Sequence, residues 1–131
     1  MDFYLKEGGM RVNFPYDELD ISGNEDYGFR PFQLMVASVA GCSASVFRKI
    51  LDKKRIDIDD LKISADVERN ADEANKIEAI HLHFSVKGAH LDREKLEKSM
   101  AIAKKNCSMI RSIEDSVKIT ETLEIINLSE I

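Results

Sequence analysis

The run Arg30-Pro31-Phe32-Gln33-Leu34-Met35-Val36-Ala37-Ser38-Val39-Ala40-Gly41-Cys42-Ser43-Ala44-Ser45-Val46-Phe47 decides how the rest of the chain is read. Pro31 suits the first turn of a helix, where its missing N–H would have no partner anyway. Residues 31–54 would then extend roughly 36 Å, at about 1.5 Å per residue. Met35, Val39, Cys42, Val46 and Ile50 recur at spacings of three and four. Leu34, Val36, Ala40, Ala44, Phe47 and Leu51 carry apolar character round the other faces. A helix that is apolar all round belongs inside a protein. Small residues such as Ala37, Ser38, Ala40, Ser43 and Ser45 keep it thin, so other backbones can approach. Gly41 costs about 1 kcal/mol of helix propensity against alanine, which close packing or access to a neighbouring thiol would explain. The run therefore predicts a buried central helix, with one of the chain's two cysteines at its middle.

Outward from this helix, the chain alternates. Upstream, Phe3-Tyr4-Leu5 and Met10-Arg11-Val12-Asn13-Phe14 flank the turn signal Glu7-Gly8-Gly9. Tyr16 to Ile21 reads as a further short strand, and Ser22 to Gly28 as a loop. Downstream, Leu61, Ile63, Ala65 and Val67 alternate with Lys62, Ser64, Asp66 and Glu68. Residues 70–76 form a polar turn, and Ile77 to Lys87 alternates again, so the two runs make an antiparallel hairpin with one buried face. Asp92 is placed to cap a second helix, whose stripe Leu96, Met100, Ala103 leads to Cys107. Asn106 would end that helix in the left-handed region, and Ser108 would cap a short third one. Val117 to Ile125 is the last strand. The order predicts one α+β domain over residues 1–131.

Composition narrows the function. The net charge of −5, with basic and acidic residues mixed, argues against a nucleic-acid footprint. Lys53-Lys54-Arg55 reads as a solvated helix end, with cations at the negative pole of the dipole. Residues Met1 to Glu7 carry acids and no signal-peptide core. The apolar run Phe32 to Phe47 is too short to span a bilayer, so no membrane is expected and the chain is placed in the cytoplasm. In that reducing compartment two cysteines seldom form a structural staple, which gives weight to a transient or catalytic pair.

The cysteines match no zinc spacing, and no metal or other cofactor is expected. His81 and His83 share one strand face, with Ser85 and Lys87, and that face reads as solvent-exposed. Cys107 falls at a helix–helix junction, where local N–H groups lower a thiol pKa. Cys42 lies about three turns into its helix and gains little from the dipole there, so its thiolate needs an arginine or another polar partner. The bland reading is that each cysteine packs as a small hydrophobe.

Pro31-x-x-Leu34 followed by Ala37-Ser38-Val39-Ala40-Gly41-Cys42-Ser43 resembles the helix motif of the OsmC/Ohr family, in which a proline precedes the cysteine by eleven residues. Lys104-Lys105-Asn106-Cys107-Ser108 resembles its second-cysteine motif, in wording most like the YhfA-like branch. The resemblance covers nearly the whole chain. It implies an intertwined homodimer in which long central helices are wrapped by antiparallel sheets. It implies a thiol peroxidase of oxidative-stress responses that reduces organic hydroperoxides. Cys42 would be the peroxidatic thiol and Cys107 the resolving one, with an external dithiol reductant. Met35, Val39 and Phe47 around Cys42 would favour a hydrophobic substrate.

Peroxidase members pair an N-terminal arginine with a glutamate just after the motif proline. Here Phe32 and Gln33 stand at that place. Arg11 is the first candidate to activate Cys42, with Arg30, Arg48 and Arg111 as alternatives. Two other readings stand beside the peroxidase: a non-catalytic dimer whose apolar cleft holds a lipid-like or aromatic molecule, and a redox sensor using the same cysteine pair.

Overall fold

The structure is a computed structural model and describes residues 1–128. The described chain divides into two compact units, with the boundary after Ala37, inside the first helix. The single domain expected over residues 1–131 extends past the described residues.

The N-terminal unit carries an antiparallel sheet of β1 (Phe3–Lys6), β2 (Gly9–Asn13) and β3 (Glu18–Ile21), in that order. Gly8 turns β1 into β2 with φ of 75°, a left-handed conformation that suits glycine, and a Cβ there would collide with Tyr27. Asp20 on β3 ties the sheet together. It accepts from Arg11 Nε at 2.6 Å and from Lys6 Nζ at 3.2 Å. These donors, the Arg11 bond foremost, push its carboxyl down to about 2.

Helix α1 runs Pro31–Lys53, as the proline and the apolar run predict. Its end is a Schellman motif: Ile56 N–H donates to Leu51 O at 2.9 Å and Arg55 N–H to Asp52 O at 3.1 Å, with Arg55 at φ of 57°. The buried surface differs from expectation. Within this chain only Val39, Ser43, Phe47 and Leu51 are buried, a stripe of spacing four. Met35 is exposed, while Cys42, Val46 and Ile50 are half-buried. Apolar character all round a helix does not say which stripe its own chain will cover, and here a single layer of partners covers one. At 23 residues α1 is also long and apolar enough to cross a membrane by length and composition, contrary to the shorter run counted from sequence.

The unit from Ser38 onward contains a sheet in the order β4 (Asp60–Asn70), β5 (Lys76–Gly88), β6 (Lys118–Asn127). β4 and β5 form the expected antiparallel hairpin, closed by a turn with Ala74 and Asn75 at positive φ. β6, however, runs parallel to β5, so the sheet is mixed. A parallel neighbour needs a crossover, which α2 (Arg93–Asn106) and α3 (Ser108–Ile113) supply. Ile80, Leu82, Phe84 and Val86 make the buried face of β5, and Leu96, Met100 and Ala103 that of α2. Phe47 meets Phe84 edge to face, with ring centroids 5.4 Å apart.

Asp92 caps α2 as predicted, accepting from Lys95 N–H. The other two predicted caps are corrected. Asn106 is the last residue of α2 but is not left-handed; its side chain donates back to Ile102 O at 2.8 Å. Ser108 is the first helical residue of α3, and Cys107, extended at φ −82° and ψ 110°, is the cap position. One extended residue is enough to separate the two helices.

Phe47 anchors this core, so Phe47→Ala should cost about 3–5 kcal/mol. Urea unfolding followed by circular dichroism measures it; a loss under about 1 kcal/mol would show that the α1–β5 contact is peripheral.

Candidate functional site

The fold brings the two cysteines together. Cys42 lies on α1 just off its buried stripe, and Cys107 is the fully buried hinge between α2 and α3. The residues that follow each cysteine complete the junction. Cys42 Sγ lies 3.8 Å from Ser108 Oγ, and Ser43 Oγ donates to Cys107 Sγ at 3.8 Å. Each thiol thus meets the serine that follows the other. Ser43 occupies one of the four buried positions of α1, so the helix phase that buries Val39 and Phe47 also sets this crossed contact.

The environments push the two thiols apart. Burial pushes the Cys42 thiol up, but the backbone N–H of Met109, the Cys107 thiol, and the hydroxyl and N–H of Ser108 outweigh it, so its pKa lies below the ordinary value. Burial also pushes Cys107 up, and there it prevails. The Ile110 N–H and Ser43 lower that pKa, whereas the hydrogen bond to Cys42 and the Cys42 charge raise it further. The more accessible thiol is therefore the more acidic, as a reactive cysteine requires. The sequence placed the benefit of the α3 start on Cys107; the structure extends it across the junction to Cys42. Ser108 and Met109 were not singled out as partners of Cys42, because only the packing of α3 against α1 reveals that role.

The arginines are accounted for separately. Arg11 lies in the N-terminal unit, with its guanidinium bonded to Asp20 and 3.6 Å from Glu18. Arg30 sits over the ring of Phe32, 4.8 Å from its centroid. The side chain at the place of the expected glutamate thus holds an arginine by a cation–π contact instead of an ion pair. Arg111 pairs with Glu114 at 3.5 Å. Arg48 borders a cleft with Gly41 and Ala44. Among the described residues, every group that lowers the Cys42 pKa belongs to the segment Cys107–Met109. His81 and His83, on the outer strand face, bond to Thr120 and Thr122.

A family model described as OsmC-like protein matches residues 23–122, which include both cysteines. The chain belongs to the OsmC family. It is 30% identical to protein YhfA of Escherichia coli K12 over 97 residues, 73% of this chain and 72% of that one. A crystal structure of an OsmC-like protein from Mycoplasma pneumoniae superposes with a TM-score of 0.83 at 14% identity, covering 96% of each chain. The Legionella pneumophila structure described as organic hydroperoxide resistance protein OsmC gives 0.74 at 19% identity, covering 94% of this chain and 93% of that one. These structural likenesses confirm the OsmC-like α+β fold.

The donors around Cys42 predict its titration. Iodoacetamide alkylation of Cys42, followed by mass spectrometry across pH, should show a midpoint below that of an ordinary free thiol. Ser108→Ala removes one donor and should move that midpoint upward. An equal midpoint in both proteins would remove the Ser108 hydroxyl from the account.

Proposed function

We propose that this OsmC-family chain is a thiol-dependent peroxidase that reduces organic hydroperoxides, with Cys42 as peroxidatic and Cys107 as resolving thiol. The observation that carries this reading is the contact between an acidified, half-buried Cys42 and a buried Cys107. The Cys42 thiolate attacks the terminal oxygen of the hydroperoxide. The O–O bond breaks, the alkoxide takes a proton from water and leaves as alcohol, and Cys42 becomes a sulfenic acid. The Cys107 thiol gives up its proton and its sulfur attacks the Cys42 sulfur; a disulfide forms as the S–O bond breaks, and the departing hydroxide takes up that proton and leaves as water. An external dithiol returns both thiols by exchange.

Oxidation of one thiol alters the other. Part of what raises the Cys107 pKa is the Cys42 hydrogen bond and charge. A neutral sulfenic acid at Cys42 no longer carries that charge. Oxidation of Cys42 thus lifts one secondary cause of the raised Cys107 pKa, while burial, the largest cause, remains.

The same reading includes a cytoplasmic homodimer with no nucleic-acid or membrane partner. Gly41 has open space where a Cβ would stand, on a face of α1 that its own chain leaves uncovered. In the N-terminal unit Phe3, Leu5 and Phe29 are exposed. A second copy covering such surface is the economical explanation for a chain of this composition.

Treatment with one equivalent of cumene hydroperoxide should remove both free thiols, and Cys42→Ser should abolish the loss. Continued consumption with a dithiol reductant distinguishes turnover from a sensor that oxidises once. Thiols that stay free through the treatment would defeat the peroxidase reading.

A further inference from the structure

A groove of about 440 Å³ lies between α1 and α2, with Val46 and Ile50 on one wall and Ile102 on the other. Lys49, Lys53, Lys54 and Asn106 complete its lining. Its apolar walls are aliphatic, and among the described residues no aromatic side chain lines it. Ile102 is 42% exposed and lies off the buried Leu96, Met100, Ala103 stripe of α2.

The charged residues lining the groove all carry one sign. Lys49 and Lys53 are one helical turn apart, and like charges at that spacing destabilise a helix by a few tenths of a kcal/mol. Neither makes an ion pair among the described residues. On α2 the same spacing is used in the opposite way: Arg93 pairs with Glu97 at 3.2 Å, and Lys98 with Glu94 at 3.1 Å. A helix-end role suits Lys53, but Lys49 is a full turn further in. Lys54 is engaged elsewhere, donating to Ser99 Oγ at 3.0 Å. Positive residues without an acidic neighbour in the lining of an apolar groove complement an amphiphilic anion.

We infer that this groove binds a free long-chain carboxylic acid, with its alkyl chain on Val46, Ile50 and Ile102 and its carboxylate between Lys49 and Lys53. The aliphatic walls suit a flexible alkyl chain over a planar ring. Two ammonium groups a turn apart bracket one compact anion. From Val46 to Lys53 the groove wall rises about 10 Å, so much of a medium-length chain is covered. The inference rests on the groove alone and is independent of the thiol chemistry.

Isothermal titration with dodecanoate and with dodecyltrimethylammonium tests it, on the natural chain and on a Lys49→Glu/Lys53→Glu double variant. Dodecanoate should bind at one site per chain and the cationic amphiphile should not. The double variant should weaken dodecanoate binding about tenfold or more, since two exposed attractive pairs become repulsive. Cys42→Ser should bind as the natural chain does. Circular dichroism checks the fold, and Lys49→Gln/Lys53→Gln serves if the double glutamate variant is unfolded. Equal dodecanoate affinity in natural and variant chains overturns the inference. So does absence of binding, and a change in assembly mass with the lysine variants would then assign the groove to a second copy.

Discussion

The crossed contact of Cys42 with Ser108 and of Ser43 with Cys107 is the constraint on which the rest of this unit depends. It requires α1 to present two successive residues, one inward and one to the side. It also requires the chain to break its helix at a single residue, Cys107, so that α3 begins against α1. The spacing of Val39, Ser43, Phe47 and Leu51 meets the first requirement. The extended backbone of Cys107 meets the second. The parallel placement of β6 beside β5 follows from the same crossover, because α2 and α3 must return the chain across the sheet.

That junction also resolves a difficulty in the sequence. Phe32 and Gln33 stand where the resemblance would put a glutamate to hold an arginine near Cys42. Two neutral amides, a hydroxyl and a second thiol lower its pKa instead. Several hydrogen bonds to a thiolate offset burial without any cation. Three of the four candidate arginines have other partners: Arg11 is bonded to Asp20, Arg30 rests on Phe32 and Arg111 pairs with Glu114.

Much of the fold was legible in the chain. Pro31, the alternation from Leu61 to Lys87 and the Asp92 cap each carry a local physical signal, and each element stands where that signal puts it. Both cysteines stand in motifs visible in the sequence, and the fold brings them to one junction. Three features were not legible. The buried stripe of α1 depends on which neighbours arrive, and Val39, Cys42 and Val46 look alike in sequence. The direction of β6 depends on the crossover path, which alternation does not encode. Ser108 looked like a helix cap by type, and its contact with Cys42 arises from the packing of elements 66 positions apart.

The central claim is that Cys42 and Cys107 form one redox unit. Peptide mapping by mass spectrometry after a single equivalent of cumene hydroperoxide tests it most directly. The account predicts one disulfide-linked species joining the Cys42 and Cys107 peptides, reversed by a dithiol. Cys42 recovered as sulfinic acid with Cys107 still a free thiol would contradict it.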